Sequence, residues 1–129
     1  MPNYLLDVNV LVAHAILEHE HHDAVVLGLK QAKKRGCRLY ICPIAELGLV
    51  RNAMRIASLS LIEAQVLLAN EYINLELEFV PASAQVADLP TWVQGHRQTT
   101  DAYLDTLAKS HGLTLATTDK GIPGADCLI

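Results

Sequence analysis

Short apolar runs alternate with amphipathic stretches along this chain. Asn3 to Leu6 reads as a short apolar strand, and Val8, Leu11, Val12, Ala15 and Ile16 then recur at helical spacing. A polar break, Glu18 to Asp23, precedes a second helix over His22 to Lys34, with Val25, Val26, Leu29 and Ala32 inward. Gly36 suits the left-handed residue that closes a helix. Lys33, Lys34 and Arg35 place positive charge where the helix dipole favours it; a nucleic-acid patch is the rival reading of that run. Cys37 to Cys42 is a second strand. Pro43 fits a first helical position, and the helix it opens carries Glu46, Arg51 and Arg55. Ser60-Leu-Ile-Glu63 forms a capping box before the apolar run Ala64 to Ala69. Leu75 to Val80 reads as a third strand. Pro81 to Gln98 is less regular, with a short helix around Trp92. Thr99 to His111 is helical and closed by Gly112, Leu113 to Thr117 is a strand, and Cys127 to Ile129 a last short one. Strands alternating with helices imply an α/β fold, a mostly parallel sheet with helices on both faces.

Four acids fall where an apolar run meets a helix start or a turn: Asp7, Glu46, Asp101 and Asp119. Taken singly each has an ordinary explanation. Asp7 can cap a helix, Glu46 and Asp101 can complement a dipole in a first turn, and Asp119 can sit in a Thr-Asp-Lys-Gly turn. Asp7 stands apart, wedged between Leu5-Leu6 and Val8, a costly place for an unpaired charge. Ligands of open α/β sheets bind outside the carboxyl ends of the strands. Four carboxylates gathered there raise each other's pKa, and a hard divalent cation balances them.

Composition bounds the rest. The chain has 129 residues, 51% of them hydrophobic, which is enough for one domain with a real core and argues against disorder. No apolar run reaches the length of a membrane span, and the N-terminus lacks the features of a signal peptide, so a cytosolic (cytoplasmic) location without membrane attachment is expected. Cys37, Cys42 and Cys127 form neither a disulfide framework nor a zinc pattern. The net charge of −4 speaks against nucleic-acid binding by bulk electrostatics, though not against an acidic centre filled by a cation. His14, His19, His21 and His22 lack any zinc-ligand spacing and read as a solvated loop. Gly28, Gly36 and Gly48 are isolated, so there is no phosphate-binding loop.

Four blocks in order resemble PIN-domain nucleases: Leu-Leu-Asp-Val-Asn-Val-Leu at 5–11, Pro-Ile-Ala-Glu-Leu-Gly-Leu-Val-Arg at 43–51, Thr-Thr-Asp-Ala-Tyr-Leu-Asp-Thr-Leu-Ala at 99–108, and His-Gly-Leu-Thr-Leu-Ala-Thr-Thr-Asp at 111–119. They are most similar to the VapC-type toxins of prokaryotic toxin–antitoxin systems. The resemblance implies a single three-layer α/β/α PIN-like domain over 1–129 and a metal-dependent endoribonuclease. Asp7, Glu46, Asp101 and Asp119 would be its acidic quartet, supported by Asn9 and Thr117. Mg²⁺, or Mn²⁺, would be the cofactor, bound directly by Asp7 and Asp101, with Glu46 and Asp119 taking a second ion or orienting water. Arg51 and Arg55, four apart on one helix face, would meet substrate phosphates or an antitoxin carboxylate, or form a solvated helix face; Arg97 and Lys120 are weaker candidates, and Asp105 an auxiliary acid more in keeping with the surface. The implied partners are RNA, a VapB-like antitoxin and a second copy of the chain, with Ala64 to Tyr72 in the dimer interface. The family often has an Asp-Phe pair after the fourth acid; here the chain runs Lys120-Gly-Ile-Pro-Gly124.

Two other classes fit parts of the pattern. A non-catalytic PIN-like binding module would have no use for four clustered acids. An aspartyl-phosphate phosphatase would want Asp-x-Asp after the first strand, where this chain has Asn9, and a receiver domain would want a mid-chain phosphoacceptor that is missing.

Overall fold

The computed structural model describes residues 2–129. In chain order they form β1 (Tyr4–Leu6), α1 (Val8–Ala15), α2 (His22–Lys34), β2 (Leu39–Ile41), α3 (Pro43–Ile56), α4 (Leu61–Asn74), β3 (Glu78–Phe79), α5 (Thr99–Ser110), β4 (Thr114–Thr117) and β5 (Asp126–Cys127). The five strands are parallel in the order β3-β2-β1-β4-β5. The helices flank them in the α/β/α arrangement that alternating strands and helices predict.

Strand order decides where a site can form. From β1 the chain moves outward through β2 to β3, then returns to place β4 on the other side of β1. The order therefore reverses between β1 and β4, and a crevice opens beyond the carboxyl ends of those two strands. Register aligns Leu5 with Leu115 and Leu6 with Ala116, so residue 7 and residue 117 emerge side by side. Leu5, Leu6, Leu39, Ile41 and Leu115 are fully buried in the sheet, with Leu11, Leu49, Leu104 and Leu107 packed on it from the helices. Each such side chain contributes about 1.5–3 kcal/mol by leaving water.

α1 and α3 lie against each other through a residue without a side chain. A Cβ on Gly48 would stand 2.6 Å from Val8 Cγ2 and 2.7 Å from Cγ1. That close approach sets the second turn of α3 against Val8, the first residue of α1, just beyond the end of β1. On α4, the Ser60–Glu63 capping box forms as expected. Gly36 and Gly112 follow α2 and α5 with φ of 85° and 68°, the closing conformation anticipated for both.

Differences from the sequence pattern lie at the edges of the sheet and in the irregular segment. The third strand covers Glu78–Phe79 only. Leu75 instead caps α4 and Glu76 turns the chain at φ 52°, and an edge strand with a single neighbour has little to extend it. The last strand starts one residue earlier, at Asp126. Around Trp92 there is a turn rather than a helix; 3₁₀ turns stand on either side, at Val86–Asp88 and His96–Gln98. The interface expected over Ala64 to Tyr72 is split by burial. Ala64 and Glu71 face inward, while Val66, flanked by Ile62 and Ile73, is exposed. Among the described residues no helix is long and apolar enough to cross a membrane.

Candidate active site

Asp7 follows β1 directly and is 1% exposed. It occupies the N-cap position of α1, yet its side chain makes no capping hydrogen bond. The capping bond that would account for an acid at this position is therefore absent. Its main-chain N–H donates to Ala116 O at 2.9 Å, which ties the end of β1 to β4. Its carboxylate oxygen Oδ2 accepts from Thr117 Oγ1 at 2.7 Å. Thr117 is wholly buried, and the same hydroxyl accepts from the main-chain N–H of Asp119 at 3.0 Å. One threonine thus links the first acid to the last.

Asp119 is exposed and its Oδ1 accepts from Gly121 N at 2.8 Å. This local turn answers how the acid is held where Lys120 to Gly124 departs from the family pattern: a glycine amide fixes the carboxylate. Asp101 lies in the first turn of α5, half-buried. Burial, then the neighbouring charges of Asp7 and Asp119, push its carboxyl up to about 6. Burial likewise raises Asp7; hydrogen bonds from Thr117 and the Val8 amide pull it back, and Asp119 adds repulsion. Asp7, Asp101 and Asp119 are therefore close enough to feel one another, as the sequence placement anticipated.

Asp7 and Asp101 line a cavity of about 410 Å³ with Asn9, Leu47, Gly48 and Arg51. Asn9 is exposed on α1 at its edge. Arg51 is exposed and sets a positive group against the acids. Arg55 is one turn further along and donates from Nη2 to Asn52 Oδ1 at 2.9 Å, while Asn52 Nδ2 donates to Gly48 O at 2.8 Å. Asn52 and Thr100 also line the cavity, and sequence reasoning passed over both. Asn52 stood next to Arg51 and one turn after Gly48, so its helix position was legible.

Glu46 takes a different position. It is half-buried in the first turn of α3 and is not among the residues lining the cavity. Its Oε2 accepts from Tyr72 Oη, on α4, at 2.6 Å. Nothing in the sequence pattern pointed to Tyr72. Asp105 also differs from expectation: it is 2% exposed and accepts from Lys109 Nζ at 2.8 Å, a pair within α5. Arg97 and Lys120 are exposed and lie outside the cavity. The histidines are not the solvated loop expected: His14 lies in α1 and His22 in α2, and all four are partly buried. His14 pairs with buried Glu71 at 2.5 Å, His22 Nδ1 bonds to Ala13 O, and His19 Nδ1 accepts from the His21 amide.

Among the described residues no three His, Cys, Asp or Glu side chains are drawn close enough to grip one ion between them. What the crevice offers is oxygen donors at graded exposure: Asp7 buried, Asp101 half-buried, Asp119 open. A small hard cation that keeps several of its waters and takes one or two carboxylates fits such a donor set; a fully dehydrated one does not.

The PIN domain family profile matches residues 4–126. The chain is 40% identical over 119 residues to Ribonuclease VapC29 of Mycobacterium tuberculosis (strain CDC 1551 / Oshkosh), covering 92% of this chain and 86% of that protein. It is 32% identical over 123 residues to Ribonuclease VapC38 of M. tuberculosis (strain ATCC 25618 / H37Rv), with the same coverage of 92% and 86%. Its fold is similar to a chain in the crystal structure of VapBC2 from Rickettsia felis bound to a DNA fragment from their promoter, with a TM-score of 0.68, 21% identity and 96% of each chain covered.

Proposed function

The chain belongs to the PIN-domain family, and on that premise we propose that it is a metal-dependent endoribonuclease, the toxin of a type II toxin–antitoxin pair. The observation that carries this reading is the convergence of Asp7, Asp101 and Asp119 at the β1–β4 switch point. Asp7 is buried without a side-chain capping bond and is opposed by Asp119, and Asp101 is opposed by both Asp7 and Asp119. Two curated relatives spanning most of the chain are ribonucleases by name.

Asp7 and Asp101 would hold Mg²⁺ or Mn²⁺, with Asp119 and Glu46 reaching it through water. The ion, when bound, would activate water and offset the charge that develops on the phosphate. The chain's own residues do the rest. Thr117 orients Asp7 through its Oδ2. Arg51 meets a phosphate entering the cavity, and Asn9 and Asn52 offer side-chain amides at its wall. Nothing in this arrangement resembles a phosphoacceptor with a second acid two residues on, because that position is Asn9.

The partners follow from the same family reading. An antitoxin segment carrying a carboxylate would compete for Arg51 and cover the cavity. A second copy of the chain would cover the apolar face of α4 at Ile62, Val66 and Ile73. We read the chain as one domain, and its buried core takes strand residues from β1, β2 and β4.

The test is RNA cleavage in Mg²⁺ by the parent and by Asp7→Asn. We expect the variant to fold and to lose more than about 100-fold in rate, beyond the range seen for residues that only support a site. Full activity in the variant would sink the assignment. Mn²⁺ at millimolar concentration that fails to raise the melting temperature of the parent would favour a binding module instead.

A further inference from the structure

Tyr72 is the feature that the proposed site does not absorb. It lies on α4, is half-buried, and is not among the residues lining the acid cavity. Its hydroxyl donates to Glu46 Oε2 at 2.6 Å, the short distance of a charge-assisted bond. Glu46 in turn is missing from the cavity wall, and it is not among the charges that disturb Asp7 or Asp101. A glutamate at the start of α3, with three rotatable bonds, could swing in several directions. One partner decides which.

We infer that Tyr72 is a positioning residue. It holds Glu46 at the margin of the crevice, outside direct contact with the cation, so that the free oxygen of Glu46 acts on water bound in the crevice. This inference rests on the proposed nuclease activity and deepens it. Two consequences separate it from a purely structural role. Glu46 contributes to turnover but not to cation affinity, and Tyr72 matters only through Glu46. The neighbouring pair Glu71–His14 anchors the same turn of α4 to α1, which keeps Tyr72 in place when its hydroxyl is removed.

The experiment compares parent, Tyr72→Phe, Glu46→Gln, the double variant and Asp7→Asn. Each is assayed for Mn²⁺ binding by electron paramagnetic resonance, for melting temperature, and for kcat and KM on a fluorogenic single-stranded oligoribonucleotide. We expect Tyr72→Phe to lower kcat about 10- to 100-fold, the scale of a supporting-residue change, with KM, melting temperature and Mn²⁺ affinity held. Glu46→Gln should lose at least as much turnover and also keep Mn²⁺ affinity, whereas Asp7→Asn should lose it. The double variant should be no slower than Glu46→Gln, since two residues acting as a unit are not additive. Parental turnover in Tyr72→Phe would overturn the inference, as would loss of Mn²⁺ binding in Glu46→Gln or additive losses in the double variant. A parent that neither binds Mn²⁺ nor cuts RNA would remove the nuclease reading first, and this inference with it. A variant that melts early is replaced in the comparison by Glu46→Gln alone, whose cation affinity still decides whether Glu46 is a direct ligand.

Discussion

Thr117 donates its hydroxyl to Asp7 across 110 residues of sequence, at 2.7 Å and with both side chains buried. The same oxygen receives the amide of Asp119 at 3.0 Å. A single side chain therefore sets the spacing of two acids and oxygen-bonds to both ends of the motif.

Replacing it tests that arrangement. Thr117→Val keeps the shape of the side chain but leaves a buried carboxylate oxygen and an amide without their partner. We expect a stability loss of about 1–3 kcal/mol, measured by urea unfolding. Activity should fall about 10- to 100-fold, and Thr117→Ser should recover most of it.

Asp101 makes a pH prediction for the cation-free protein. Its folded pKa is pushed up to about 6 from the ordinary aspartate value of 3.8. Between those values the folded state binds more protons than the unfolded chain, so stability is highest at the acid end, falls as pH rises through this window, and is flat above it. Raised Asp7 acts in the same direction. Because Asp101 is partly open to water, the loss should be on the order of 1–2 kcal/mol rather than the full value of the shift. Urea midpoints with chelator should fall from about pH 4.5 to about pH 7. Asp101→Asn should flatten the profile, and Mn²⁺ should restore stability to the parent at neutral pH but not to this variant.

Gly48→Ala puts a methyl group 2.6 Å from Val8 Cγ2. Overpacking of this kind costs about 1–3 kcal/mol, and α3 must move away from the end of β1. We expect a lower melting temperature together with weaker cleavage, because Arg51 lies on α3 and Asp7 directly precedes α1, the two helices that separate. Val8→Ala in the same chain should return much of both, since the two residues are in contact.

Arg51 and Arg55 share a helix face but not an environment. Arg51 lines the acid cavity, whereas Arg55 is committed to Asn52. Arg51→Ala should raise KM for RNA and reduce the salt dependence of binding by about one phosphate contact. Arg55→Ala should change KM much less. Equal effects of the two variants would show that the whole face, rather than the cavity wall, meets RNA.

Much of this protein was legible before any coordinate. Helices over His22 to Lys34 and from Pro43 onward, the Ser60–Glu63 box and the closing Gly36 and Gly112 all follow from local rules, because periodicity, capping and positive φ are properties of a few adjacent residues. The edges of the sheet were not. The third strand shrinks to Glu78–Phe79 and Trp92 sits in a turn, since strand length is set by a neighbour's hydrogen bonds and irregular segments by what they pack on.

The acids divide along the same line. Sequence order put four carboxylates at element ends, and three of them now interact: Asp7, Asp101 and Asp119. It could not say that Glu46 turns toward Tyr72, that Asp105 is buried and pairs with exposed Lys109, or that Gly121 secures Asp119. The chain by itself determined which residues could carry charge at the ends of strands and helices, because apolar spacing and turn chemistry are written locally. Only the tertiary structure decided which of those charges meet. That depends on β4 lying beside β1 rather than β2, on the close contact of α1 with α3 at Gly48, and on which face of α3 meets α4. These are distances between segments far apart in sequence, and folding alone sets them.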